Sequence, residues 1–183
     1  MFSNFSFLRG ASPPEQLVQR AHQLGYSAIA ITDECSLAGV VRAHVAAKEC
    51  GLHLLIGSQM AITPEDGSPP FNLIIIATNK NGYGNLSELI TVGRMRADKG
   101  TYLVRPRDIA QPVGDLVHLR GLPDCQFILA PRYCAPYEEV ERHAQWLLHH
   151  APGRVRIALT LHHRTRDALH RRMIAAISEE LLY

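Results

Sequence analysis

Residues 27–60 constrain this chain more than any other stretch. Ser27–Thr32 is a short apolar run, a helical pattern restarts at Leu37, Gly51 interrupts it, and Leu52–Met60 is apolar again. The periodicities predict a buried strand, a helix from about Ala38 to Cys50 with Val40, Val41, Val45 and Ala46 turned inward, and a second strand. Such a β-α-β unit implies parallel strands and a right-handed crossover, hence an α/β fold. Two adjacent carboxylates, Asp33 and Glu34, fill the hinge between the first strand and the helix. Loops after the carboxyl ends of strands are where wound and barrel α/β folds bind ligands and metals. Carboxylates near a helix N-terminus also stabilise its free N–H groups, so a capping role stands beside the ligand-binding one.

The rest of the chain continues the alternation. Met1–Ser6 alternates apolar and polar residues as the end of a strand does. Ser12, Pro13 and Glu15 predict a helix start, with the hydroxyl as cap and proline at the first helical position. Leu17, Val18, Ala21 and Leu24 share one face of that helix, Gly25 ends it, and His22 reads as a surface or packing residue. Pro64–Pro70 is a turn, and Phe71–Thr78 is a strand that pairs as a hairpin with the strand before it. Asn79–Asn85 begins a helix that buries Leu86, Leu89 and Ile90. Its lysine precedes the glycines, so it lacks the pattern that cradles phosphate. A strand at Cys125–Ala130, a helix at Pro136–His150 with Trp146 and Leu147 toward the core, a strand at Val155–Leu161 and a helix at Thr165–Leu182 complete the prediction.

A chain of 183 residues suits one domain, and 46% hydrophobic with 20% charged residues is a globular composition. The net charge of +2 excludes a strongly basic nucleic-acid binder as the default reading. Cys35, Cys50, Cys125 and Cys134 form no CxxC pair and no short zinc spacing, which points to free thiols in a reducing compartment. No apolar run approaches the roughly 20 residues that span a bilayer. The expectation is a soluble, cytoplasmic protein without membrane contact.

Two stretches concentrate positive charge. Residues 94–107 carry Arg94, Arg96, Lys99, Arg105 and Arg107 with one aromatic, Tyr102, a combination suited to nucleic-acid contact. Asp98 and Asp108 dilute it, and a solvated loop is the preferred reading of the run. The second stretch, from His162 through His163, Arg164, Arg166 and His170 to Arg172, is the most basic surface predicted. His162 and His163 follow a strand, and only one of the pair can face a site at its carboxyl edge.

The segment ITDECSLAGVVRAHVAAKECGLHLLIGSQ, with SNFSFLRGAS before it and NKNGYGNLSELIT after it, resembles the PHP (polymerase and histidinol phosphatase) domain of bacterial DNA polymerase III alpha subunits. The similarity is greatest to their error-prone branch and strongest from Ser3 to about Gly100. The resemblance implies an incomplete, distorted (β/α) barrel of the PHP type, with residues 1–183 a single partial PHP domain whose first strand is clipped and whose last is absent. It also implies where metal ligands would stand. The second histidine of the family's His-x-His pair aligns with Phe2, an acidic position aligns with Arg9, a histidine with Glu34 and a glutamate with Gln59. Asp33 alone is unchanged, so Asp33, Glu34 and His162 are the vestigial metal residues.

The expected function is therefore a PHP region related to error-prone DNA polymerases, serving as a non-catalytic scaffold or interaction module. Its relatives as whole polymerases copy damaged DNA. Alternatives are a metal-dependent phosphoesterase or proofreading exonuclease, and a nucleic-acid-binding module. No cofactor is expected, with zinc or manganese required only by the phosphoesterase reading. The expected partners are other polymerase domains or replication and repair proteins, DNA indirectly, and a second copy through open barrel edges.

Overall fold

Ala28–Ile31 (β1) and His53–Ile62 (β2) pair in parallel through the helix Val40–Cys50 (α2), as the β-α-β reading requires. The computed structural model describes residues 1–111, 119–161 and 163–182. The remaining elements are α1 (Pro14–Gln23), β3 (Phe71–Ala77), α3 (Lys80–Met95), α4 (Pro106–Ala110), β4 (Cys125–Ala130), α5 (Tyr137–His150), β5 (Val155–Ile157) and α6 (Asp167–Leu182). The strands form one five-stranded sheet in the order β1-β2-β3-β4-β5. β3 is antiparallel to both neighbours, and β4 and β5 are parallel. β1, β2, β4 and β5 therefore end on the same edge. The sheet does not close, and the architecture is that of a partial, distorted α/β barrel.

The larger core packs Met60, Ile62, Leu73, Ile75, Leu86, Leu89, Phe127, Leu129, Leu147 and Ile177 between the sheet and α3, α5 and α6. A smaller one joins Val18, Ala21, Ile29, Ile31, Ala43 and Ala46 across α1, β1 and α2. Asn79 caps α3 by accepting the Asn81 and Gly82 N–H groups. Among the described residues, no helix is long and apolar enough to cross a membrane.

Four local expectations are corrected. Met1–Ser6 is not a strand: only Met1 makes a strand-like rung, donating to Ala30 O and accepting from Thr32 N, before the chain turns. The Ser3 and Ser6 hydroxyls take partners that an extended strand could not reach. In α2, Val41 and Val45 face solvent, at 72% and 52% exposure. Val40 and Ala46 are buried as expected, and Ala43 and Ala47 take the place of the two valines on the buried face, permitting close approach to α1. Helix α1 begins at Pro14 with Pro13 as N-cap and no side-chain cap bond, because the Ser12 carbonyl accepts Asn4 N and Pro13 already holds an extended backbone. β5 stops at Ile157 rather than Leu161: its neighbour β4 runs into Pro131, which has no N–H to continue the ladder.

Candidate functional site

The hinge after β1 is where the sheet edge, the N-terminal turn and α3 meet. The parallel register resumes three residues past β1, where Glu34 bridges Gln59, with Gln59 N donating to Asp33 O and Cys35 N to Gln59 O. The Ser58 hydroxyl donates to Asp33 O at 2.8 Å and accepts Ser36 N. These bonds fix the backbone of the hinge and turn the Asp33 side chain inward, where it is 1% exposed.

Both carboxylate oxygens of Asp33 are occupied. Oδ1 accepts Ser3 N at 2.7 Å and the Ser6 hydroxyl at 2.6 Å, and Oδ2 accepts the Ser3 hydroxyl at 2.7 Å. Gly39, at the start of α2, leaves room for this carboxylate: a Cβ there would come within 2.9 Å of Oδ2. Its position near a helix N-terminus favours a negative charge, yet Asp33 makes no capping hydrogen bond to α2.

Glu34 lies at the rim. Its Oε2 pairs with Arg9 Nη1 at 3.1 Å, and its Oε1 accepts the Tyr102 hydroxyl at 2.9 Å. Tyr102 also accepts Ala61 N, and its phenol is pushed up to about 12, first by burial and then by the Glu34 carboxylate. The Arg94 guanidinium lies over the Tyr102 ring and donates to the carbonyls of Cys35, Glu34 and Thr101. Burial pushes the Cys35 thiol up to about 11, with Arg94 opposing it. Phe5, Ser6, Phe7, Glu34, Arg94, Gly100, Thr101 and Tyr102 enclose a cleft of about 540 Å³.

The other sequence-predicted residues scatter. The Phe2 ring lies under the Arg9 guanidinium, with 4.6 Å between the guanidinium carbon and the ring centroid. Gln59 contributes its backbone to the hinge. His162 lies outside the described residues, and His163 is exposed. His170 is not on the basic surface: it is buried at 2% exposure, with Tyr133 at 5.4 Å. Of the nucleic-acid contact candidates in the basic loop, Arg94 and Tyr102 line the cleft. Arg96 makes a two-pronged pair with buried Asp108 at 2.6 and 2.8 Å, Arg105 and Arg107 pair with Glu65, and Lys99 is exposed. Among the described residues no three His, Cys, Asp or Glu side chains converge as a metal-holding group.

Sequence reasoning missed Ser3 and Ser6. The only local signal was a pair of hydroxyls three residues apart beside a glycine-bearing turn, and the partner lies at the end of another element. Arg9 was legible as a reversal of charge, though not its contact with Glu34.

A family pattern described as PHP domain matches residues 1–162. The chain is 57% identical to the error-prone DNA polymerase of Bordetella parapertussis over 169 residues, which is 92% of this chain and 16% of that polymerase. Against the error-prone DNA polymerase of Burkholderia mallei the identity is 48%, covering 97% of this chain and 17% of the other. The Methylococcus capsulatus polymerase of the same name is 43% identical over 98% of this chain. The chain thus spans about a sixth of the length of these curated relatives. Among solved structures, a proposed metal-dependent phosphoesterase from Bifidobacterium adolescentis superposes with TM-score 0.62 at 17% identity, covering 98% of this chain and 81% of that one. An amidohydrolase from Chromobacterium violaceum superposes with TM-score 0.66 at 14% identity and the same coverage. At these identities the likeness is one of fold.

Proposed function

The chain belongs to the PHP domain family and is related to error-prone DNA polymerases, and on that premise we propose that it is a non-catalytic PHP region serving as a scaffold for a damage-tolerant, cytoplasmic polymerase. Nucleotidyl transfer would be performed by the part of such a polymerase that this chain does not span.

One observation carries the reading: three internal donors already engage both oxygens of Asp33. A hydrolytic PHP site would need a cluster of cations to activate water and neutralise a phosphate. The donors gathered here do not fit that requirement. Asp33 is held by serines, Glu34 is held by Arg9 and Tyr102, and Phe2, Arg9 and Gln59 offer a ring, a cation and an amide. A guanidinium beside the rim carboxylate repels the divalent ion that the carboxylate would attract. No hydrolytic step is assigned to these residues.

The test is elemental analysis of dialysed protein combined with an assay on a generic phosphodiester. The expected result is far less than one zinc, manganese or iron per chain and no hydrolysis above buffer. Stoichiometric metal, with hydrolysis that disappears in Asp33→Ala, would replace this reading by a phosphoesterase.

A further inference from the structure

His143 places an imidazole inside the seam between α5 and the β2–β3 hairpin. We propose that this seam is an acid-operated latch, in which proton uptake by His143 frees the middle of α5 from Phe71 and from the hairpin turn while the sheet stays folded.

The seam is narrow. The His143 ring lies on that of Phe71, 22° from parallel with 4.3 Å between centroids, and the residue is only 9% exposed. Trp146, one helical turn further on, meets Phe71 edge-on at 6.1 Å. His143 and Phe71 also line a void on each side of their stack. One is an open cleft of about 180 Å³ bounded by Pro64, Ser68, Pro106 and Trp146, and the other is a far smaller one toward Leu129 and Arg132. Side chains that face a void lack packing partners there, so the ring stack carries much of the contact between α5 and the hairpin. The open cleft gives His143 a short path to water.

The charges around His143 come from three elements. Glu139 and Arg142 lie on α5 itself, Arg132 on the loop after β4, and Asp66 on the hairpin turn. Glu139 favours the protonated ring and the two arginines oppose it. Both oxygens of Glu139 already accept from Arg132 at 2.9 Å, and exposed Asp66 accepts Ser68 N at 2.9 Å and faces the charge of Arg142. At the far side of the turn Glu65 pairs with Arg105 and Arg107. Two cations and two carboxylates nearly cancel, so burial decides. An imidazolium here loses its hydration, and the Phe71 face returns only part of it as a cation–π contact. Burial, ahead of the surrounding charges, accordingly lowers the pKa of His143 in the closed seam. A ring returned to water binds the proton more tightly, so acid favours the open form. Opening need not break the sheet, because a helix packs on it through side chains and keeps its own backbone hydrogen bonds.

Amide hydrogen exchange of the full chain, corrected for the intrinsic pH dependence of the exchange rate, tests this between about pH 7.5 and about pH 5. Protection at residues 143–147 is expected to fall by up to about tenfold per unit of pH, starting near the ordinary histidine value of about 6.5 and levelling off below the lowered one, as uptake of a single proton requires. Protection at the Ser58–Ile75 rung of β2 and β3 should stay constant. Trp146 is the single tryptophan, and its emission should move to longer wavelength over the same range. The His150 ring lies 4.8 Å from Trp146, so the shift must survive in His150→Gln. His143→Phe keeps a ring stack without a titrating group and should hold both signals flat. If that variant does not fold, His143→Gln, which is uncharged at every pH, carries the same expectation. Protection in α5 that is constant or rises on acidification would overturn the proposal, as would a loss spread equally over the sheet. So would a loss that persists without His143, which would assign it to another group such as His170, buried on α6.

Discussion

The Ser6 hydroxyl donates to Asp33 Oδ1 across 2.6 Å and accepts the Glu34 N–H across 2.9 Å. One side chain thus holds both acidic residues of the hinge. It couples the N-terminal turn to the end of β1 without help from the sheet ladder, and makes Asp33 a tie between segments remote in sequence.

Asp33→Ala should therefore act on stability. It leaves Ser3 N and two hydroxyls without their buried acceptor, and the expected loss is about 3 kcal/mol in the urea unfolding free energy at unchanged m-value. Asp33→Asn retains one carbonyl oxygen and should lose roughly half as much. An alanine variant as stable as the parent would show that the network holds nothing together.

Gly10 tests the same turn by volume. A Cβ there would overlap the Ser3 carbonyl, whereas at Gly84 in α3 it would meet nothing within 4 Å. Gly10→Ala should destabilise by about 2 kcal/mol or more through displacement of Ser3. Gly84→Ala should stabilise by up to about 1 kcal/mol through helix propensity. Thermal melts of the two variants, measured side by side, should move in opposite directions.

Arg96 separates internal bracing from a nucleic-acid surface. It pairs with a carboxylate whose side chain is only 2% exposed, so Arg96→Ala should lower the unfolding free energy by about 3 kcal/mol. Arg107, half exposed and paired with Glu65, should cost less than about 1 kcal/mol on the same change. Equal effects of the two substitutions would contradict the burial argument.

His143 gives the fold an acid limit. It is stacked on Phe71 at 4.3 Å, and burial, opposed by Glu139 and reinforced by Arg142 and Arg132, lowers its pKa. A lowered folded-state pKa means that the unfolded chain binds the proton more tightly. The stabilisation is complete above the unfolded value of about 6.5 and is lost as pH falls through the folded value. His143→Phe should keep the stack and reduce the loss of melting temperature between neutral and acidic buffer.

What was legible in the sequence was whatever rests on local pattern. The run Ser27–Thr32, the glycine at 51 and the apolar Leu52–Met60 specify β1, α2 and β2, because run length and chain breakers act within one element. Val41 and Val45 were misplaced on the inward face of α2 because valine is more hydrophobic than alanine, while contact with α1 favoured the smaller side chains of Ala43 and Ala47. Asp33 was identifiable from its place after a strand. Ser3 and Ser6 were not, and Tyr102 stood out only as the aromatic of a basic run and not as a partner of Glu34, since these partners lie in other elements and nothing in a one-dimensional pattern encodes a contact between the N-terminal turn and a later loop. The cations of residues 94–107 look like a surface run until Asp108 and Glu65 are placed beside them.

The melting temperature with excess manganese or zinc against that with a chelator tests the central claim most directly. A ligand that binds only the folded chain must raise it, and a hinge closed by serine hydroxyls and a guanidinium has no such ligand. The account predicts coincident melts under all three conditions. A melting temperature several degrees higher with manganese or zinc, with the increment abolished in Asp33→Asn, would contradict it.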